Sequence, residues 1–390
     1  MCLLSLKGAA ACCVLLLLWG CAGRLASPPM GKDLSMPRVY RMGEIVETRS
    51  GRVLTLDQLI RELSGVQIVY VGETHVSETD HRVQEEILRR LHRVNATLAL
   101  GMEMFTRESQ PILDRFAAGA TDEETLLREV DWSGTWGYPF SLYRPILMFA
   151  REKCIPILGL NAPRELVRRI GADGLQSLGP SDRERLAQDF HQDDPQHREY
   201  VRSQYAQHLT GGIGGFQSFF EAQLAWEETM AETLAHRLLM SMGKEQIVVL
   251  VGKGHVSHGV GLPKLVLKRL MHTHKIVVPL PINHRSGVAD PHVADYVWVT
   301  ETGTHPQRGR LGMMVRETAS GEGLEVVSVL PGSPSERAGL KKGDGILAVD
   351  EVPMRALEDL HKAVVRAGDR FRMTVKRNGE VLSVTIDASQ

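Results

Sequence analysis

The sequence predicts an α/β domain, a mainly parallel sheet with flanking helices, followed by a small β-rich domain. Three observations lead there. The 390 residues, 43% hydrophobic and 24% charged, are enough for two or three separately cored domains. Between about residues 41 and 300, short apolar runs alternate with amphipathic stretches, the pattern of strands joined by crossover helices. Near Arg308 a second series of short runs and glycine turns begins. Composition removes several functions. A net charge of -1 argues against a nucleic-acid partner, 5% aromatic content against a base-stacking surface, and five cysteines against a disulfide scaffold.

Four of the cysteines, Cys2, Cys12, Cys13 and Cys21, fall at the very start of the chain. Lys7 precedes an uncharged run from Gly8 to Gly20 that is rich in Val14 and Leu15 to Leu18. This run is shorter than the roughly 20 apolar residues of a membrane span and suits a signal peptide over 1–20. It closes in Leu18-Trp19-Gly20-Cys21, which resembles a bacterial lipobox with an unusual Trp19. The resemblance implies lipidation of Cys21, a membrane anchor, and a tether over 21–40 that contains Pro28, Pro29, Gly31, Ser35 and Pro37. Ala22-Gly23 lacks the acidic residue associated with inner-membrane retention. The expected location is therefore the bacterial cell envelope, as an outer-membrane lipoprotein facing the periplasm or the surface.

The expected strands of the α/β domain (41–305) are Gln67 to Val71, Thr97 to Leu100, Ile155 to Leu158, Gln246 to Val251 and Lys275 to Leu280. Val83, Ile87, Leu88 and Leu91 recur at helical spacing between the first two. Ser181 with Glu184 reads as a capping box, and a long helix is expected from about Phe216 to Met242, stopped by Gly243. Cys154 opens an apolar run and reads as a buried, inert thiol. Arg164, Arg168 and Arg169 read as a solvated helix face, and His191, Asp193, Asp194 and His197 as a solvated polar loop. The glycine-rich run Thr210 to Phe216 reads as a flexible connector.

Four of the strands run into a glycine and then a polar residue. Gly72 leads to Glu73 and His75, Gly101 to Glu103, Gly159 to Asn161, and Gly252 to Lys253 and His255. In a parallel sheet these ends share one edge, so residues 75, 103, 161 and 255 are expected to meet in one crevice. Two histidines and a carboxylate are a common set for a divalent transition metal such as Mn or Zn, here His75, His255 and Glu103. Glu73 or Glu103 would then serve as general base and catalytic residue for metal-activated water. The plainer alternative is a hydrogen-bonded polar edge.

Several motifs together resemble the ChaN-like family. They are Gly72-Glu73-Thr74-His75 with His81, Gly101-Met102-Glu103-Met104-Phe105 with Gln110, Trp136 with Tyr143-Arg144-Pro145-Ile146, and Leu160-Asn161-Ala162-Pro163. Trp226-Glu227-Glu228-Thr229-Met230-Ala231 and Gly252-Lys253-Gly254-His255 with Gly261-Leu262-Pro263 complete the set. The pattern expects Asp after Trp226, and Glu227 keeps the carboxylate. The resemblance implies a lipoprotein of haem or iron acquisition, with His81, Trp136, Asn161 and Glu227 in the ligand pocket. It also points to the wider Tiki and TraB superfamily, in which the paired Gly-x-x-His motifs and a Glu imply a metal-dependent hydrolase, a peptidase or an esterase. Haem is the leading cofactor and the divalent metal the alternative. A haem iron needs an axial ligand, with Tyr138, Tyr143, Tyr200 and Tyr205 as candidates. Trp132 and Trp136 read as loop anchors or as pocket lining.

The last segment, 308–390, resembles a PDZ domain. It carries Arg310 to Val315, Val326 to Leu330, Gly332 to Leu340 and Gly343 to Val349 in order, then a helix near Leu357 to Val365 and a hairpin at Asn378-Gly379. The resemblance implies a groove beside Leu311, Gly312, Met313 and Met314 that takes a peptide or the C-terminal tail of an envelope protein as an added strand. A homodimer is left open.

Overall fold

The structure, a computed structural model, describes residues 40–206, 215–282, 292–301, 311–318, 323–329, 332–354, 359–360, 363–364, 367 and 370–388. The signal segment, Cys21, the tether, the glycines at 211, 212 and 214 and the junction at 302–310 lie outside these residues.

The first sheet contains β1 (Ile45–Glu47), β2 (Val53–Leu54), β3 (Ile68–Glu73), β4 (Leu98–Thr106), β5 (Ile157–Asn161), β6 (Gln246–Gly252), β7 (His274–Ile282) and β8 (Tyr296–Glu301). Their order is β2-β1-β8-β7-β3-β6-β4-β5. The strands from β8 to β5 run parallel, and β1 is antiparallel to both of its neighbours. All five expected strands are present. The additions, β1, β2 and β8, form the edge on which the sheet stops being parallel.

The helices are α1 (Leu56–Leu63), α2 (Glu78–Val94), α3 (Gln110–Ala117), α4 (Glu123–Glu129), α5 (Trp132–Thr135), α6 (Arg144–Glu152), α7 (Arg164–Asp173), α8 (Pro180–Arg183), α9 (Pro195–Ala206), α10 (Phe216–Met240) and α11 (Leu262–Arg269). Strand alternation sorts them into two layers. Val69, Val71, Leu100, Val248 and Leu250 pack with α1, α2, α3 and α6, whereas Ile68, Tyr70, Ala99, Ile247 and Val249 pack with α10 and α11. Helix α10 ends where expected. Gly243, at φ +67, turns the chain so that its N–H reaches the Leu238 carbonyl at 2.9 Å.

Three local expectations are corrected. Ser181 is not a cap; α8 starts at Pro180 after Gly179 and lasts four residues. Cys154 is exposed, not buried. It sits at φ +52 in the turn that ends α6, where the Ile155 N–H closes back on the Ala150 carbonyl at 2.8 Å. Only from Ile155 onward does the run enter the core. The polar segment at 191–197 is not simply solvated, because Asp194 and His197 are buried and His197 lies in α9.

The second sheet contains β9 (Met313–Glu317), β10 (Leu324–Val329), β11 (Gly345–Val349), β12 (Val352–Pro353), β13 (Arg370–Arg377) and β14 (Glu380–Asp387). Its order is β14-β13-β11-β10-β9, with β12 on β11 and every pairing antiparallel. Asn378 and Gly379 both take positive φ, which is what a two-residue hairpin between β13 and β14 requires. A short helix, α12 (Pro334–Arg337), follows Ser333, whose hydroxyl accepts the Glu336 N–H. The core of this sheet includes Leu311, Leu324, Ile346, Phe371, Val375 and Ile386. Buried Asp344 takes a two-pronged ion pair from Arg377, both contacts at 2.6 Å.

Candidate ligand-binding site

β3 and β6 lie side by side in register, Glu73 opposite Gly252. The two Gly-x-x-His segments therefore leave the sheet together. His75 comes two residues past β3, and His255 ends a single tight turn, Lys253–His255, after β6. Lys253 reaches across to Asp80 at 2.8 Å, and Asp80 also accepts the Thr74 N–H at 2.8 Å. The two turns are thus tied to each other and to the start of α2.

Glu103 was expected beyond its strand but lies inside β4, which continues to Thr106. Its carboxylate accepts the Gly252 N–H at 2.6 Å. A Cβ at Gly252 would stand 3.0 Å from His75 Cε1 and 3.4 Å from Glu103 Oε2, so glycine is what lets these groups close in. Asn161, the last residue of β5, donates to the Glu103 backbone carbonyl at 2.9 Å. The predicted convergence of residues 75, 103, 161 and 255 on one edge is what the strands produce.

The two histidines differ in their surroundings. His255 is buried between Glu103, 3.3 Å from Nε2, and Glu227, 2.9 Å from Nδ1. Burial alone would disfavour its charge, but the two carboxylates dominate and push its pKa up to about 10. Burial opposes charge on Glu103 and Glu227 as well, yet the histidines beside each hold both carboxyls down at about 2. Glu227 faces a second histidine, His197, at 2.7 Å, an ion pair lying outside hydrogen-bond alignment. The row His197, Glu227, His255, Glu103 is thus an alternation of charges closed inside the domain.

His75 is only half-buried. Its Nδ1 lies 2.8 Å from Glu73 Oε1, and no described residue pairs with Nε2. Glu73 is itself buried and takes the Tyr143 hydroxyl at 2.8 Å and the Gln84 amide at 2.8 Å. His81 completes the shell, with Nε2 3.1 Å from the His75 carbonyl and Nδ1 3.0 Å from Gln84. Three donors on Glu73 suit it to orienting His75 rather than to accepting a substrate proton. Burial works against charge on His75, but Glu73 and Glu103 raise its pKa overall. The Trp136 ring meets His75 edge-on at 4.8 Å and the Tyr138 ring lies 5.1 Å away. Trp132 is the loop anchor, buried and donating to the Tyr138 carbonyl at 2.7 Å.

The divalent-metal expectation finds no support. Among the described residues no set of three or more His, Cys, Asp or Glu side chains is arranged to hold a cation. His255 has a carboxylate on each ring nitrogen, which favours the imidazolium, a form with no lone pair to give. Sequence reasoning missed the part played by Gln84, Asp80 and Gln223, whose amide donates to Glu227 Oε1 at 2.8 Å, and it misread His197. The signal for His197 was Glu227 itself, since a carboxylate that a long helix carries into the core needs a buried cation nearby.

In the second sheet, β9 is an edge strand, paired on one side to β10. Gly312 before it takes φ +69. The Leu311 carbonyl accepts the Ser335 N–H at 2.9 Å and the Gly312 carbonyl accepts the Ser333 hydroxyl at 3.3 Å. The loop from Leu311 to Met313 is thereby fixed against the start of α12.

A parallel α/β sheet with a polar, histidine-bearing edge, followed by an antiparallel module with an open edge strand, defines a ligand-binding domain joined to a peptide-binding type of domain. The chain belongs to the family described as haem-binding uptake, Tiki superfamily, ChaN, whose model matches residues 59–266. Residues 309–388 match the PDZ domain. The solved structure of ChaN of Campylobacter jejuni, described as cofacial heme binding, is similar at 17% identity and a TM-score of 0.52, covering 65% of this chain and 95% of that one. The chloroplastic Protein RETICULATA-RELATED 5 of Arabidopsis thaliana is 23% identical over 261 residues, 61% of this chain and 34% of that protein. The magnetosome formation protease MamE of Paramagnetospirillum magneticum is 35% identical over 85 residues, 21% of this chain and 12% of that one. The chain thus spans about a third or less of the length of these two relatives.

Proposed function

We propose that the α/β domain binds haem at the rim formed by His75, Trp136 and Tyr138, and that the PDZ domain takes an extended peptide beside β9. The protein so built would serve iron uptake from the outer membrane, anchored by lipid on Cys21. The observation that carries the haem reading is His75, half-buried, with Nδ1 held by buried Glu73 at 2.8 Å and two aromatic rings against it. A carboxylate on one ring nitrogen orients an imidazole and raises the basicity of the other. Trp136 and Tyr138 offer flat apolar area to a macrocycle. Membership in a haem-binding family and the solved Campylobacter relative agree with this reading.

Two side chains at this rim have the chemistry of an axial ligand, His75 through Nε2 and Tyr138 through its phenolate. Tyr143 does not serve, because its hydroxyl is committed to Glu73 in the interior and burial drives its pKa upward. Tyr200 packs on His258, and Tyr205 on Phe216 and Phe219.

The test is a haem titration of residues 38–390, which form a compact unit, followed in the visible region. A saturable Soret shift is expected, displaced in either His75→Ala or Tyr138→Phe according to which residue ligates the iron. Absence of a specific shift in the unsubstituted unit would overturn the reading. Peptide binding is checked separately with a fluorescent peptide ending in a free carboxylate. The amidated peptide should bind more weakly.

A further inference from the structure

The parallel strands that end at the haem rim begin at an opposite edge, and that edge is unusually apolar. Ten large hydrophobic side chains stand exposed among the described residues, and five of them lie there: Val94 at 62%, Leu239 at 63%, Met240 at 66%, Met242 at 74% and Met271 at 83%. Gln67 joins their segments. Its N–H donates to the Thr273 carbonyl at 3.0 Å, its Oε1 accepts the Thr273 N–H at 3.1 Å, and its Nε2 lies 2.7 Å from where a Cβ on Gly243 would stand. The Gln246 N–H donates to the Thr97 carbonyl at 3.1 Å, which draws the turn after Val94 to the same edge.

These side chains are not displaced core residues. Leu238, one position before Leu239, is fully packed, and the chain turns outward only after it. Met242 is held at φ +52, a conformation that glycine or asparagine would adopt more easily.

The exposed charges in these segments that lack an ion-pair partner have one sign. Arg93 and Lys244 are exposed in the same turns, and neither has a carboxylate at ion-pair distance among the described residues. The adjacent acid, Glu245, is neutralised by Arg237 through contacts of 2.6 and 2.8 Å. Exposed thioethers and leucine with unpaired cations between them match the chemistry of a bilayer interface, apolar below and phosphate above.

We propose that this edge rests on an anionic phospholipid surface, with Leu239, Met240, Met242 and Met271 entering the headgroup layer and Arg93 and Lys244 meeting the phosphates. The 18 residues between Cys21 and Tyr40 span at most about 65 Å. A tether of that length confines a domain near a membrane without choosing its orientation. The apolar edge makes the choice, and it turns the His75 rim away from the lipid.

The experiment is co-sedimentation of residues 38–390, a compact unit without Cys21, with two vesicle types, pure phosphatidylcholine and phosphatidylcholine with about 30 mol% phosphatidylglycerol. Binding is expected to the anionic vesicles, falling with salt. It should drop about tenfold or more when Met240, Met242 and Met271 are all changed to Ser, and less for Lys244→Glu. Val352→Ser, an exposed apolar change in the second sheet, should leave binding unaltered. No binding at low salt, or equal binding by the triple variant, would overturn the proposal. So would a dimer in sedimentation that the same three substitutions dissolve, because the occupant would then be a second copy. The unit lacks Cys21 and no haem is added, so failure here leaves the lipid-anchor and haem readings untouched.

Discussion

His75 and His255 come from the same four-residue pattern, end on adjacent strands, and have nearly opposite characters. His75 keeps one nitrogen unpaired at a half-open rim, and His255 has both nitrogens against carboxylates in the interior. The pattern delivered both histidines to one edge, but it did not assign their chemistry. Glu73, at the end of the strand His75 itself follows, leaves His75 a ligand's nitrogen, whereas Glu103 and Glu227 make His255 a buried cation. A repeated motif is therefore evidence of proximity, and the carboxylates around it decide the role.

The most damaging test of this contrast is Glu227→Ala, which strips His197 of its ion pair and leaves His255 with Glu103 alone. Breaking a buried pair in this way should lower unfolding stability by about 3–5 kcal/mol in a urea titration. Glu227→Gln should cost less. His255→Ala strands Glu103 and Glu227 and should also cost about 3 kcal/mol, while His75→Ala should cost about 1 kcal/mol or less and reduce haem affinity instead. If the two alanine variants proved equally destabilising, the contrast between rim and interior would be wrong.

Acid provides a third comparison. His274 is half-buried with no carboxylate dominating it, and desolvation, helped by His272, presses its pKa down to about 4. Its unfolded form, near 6.5, takes up a proton first, so its contribution to stability is lost as pH falls from about 6.5 toward 4. His255 is shifted the other way, and its contribution is lost as pH rises from about 6.5 toward 10. Stability curves of His274→Gln and His255→Gln should flatten the acid and alkaline slopes respectively. A similarly small effect belongs to Tyr143→Phe, which removes one donor from Glu73 while two remain. A loss of about 1 kcal/mol is expected in the same urea titration.

Much of the frame was readable in the residues. Five strands, the long helix with its Gly243 stop and the Asn378-Gly379 hairpin follow from apolar period and from glycine, both local properties. The short β1 and β2 escaped, since two or three residues carry no period to read. Cys154 was misjudged because it opens an apolar run, yet the backbone there must first turn left-handed to leave α6. Glu103 was misplaced by a few residues because a glycine at 101 resembled a strand end, whereas β4 continues through it.

What the sequence determined by itself is the order of strands and helices and the set of polar residues that parallel strands must bring to one edge, because register and direction follow from local pattern. What only the tertiary structure decided is which of those residues are paired. His197 meets Glu227 from 30 positions away, Tyr143 meets Glu73 from 70, and Met271 comes to the same edge as Met242 through Gln67. Charge state, free nitrogens and exposed apolar area depend on such distant neighbours, because burial and Coulomb interaction act through space and not along the chain.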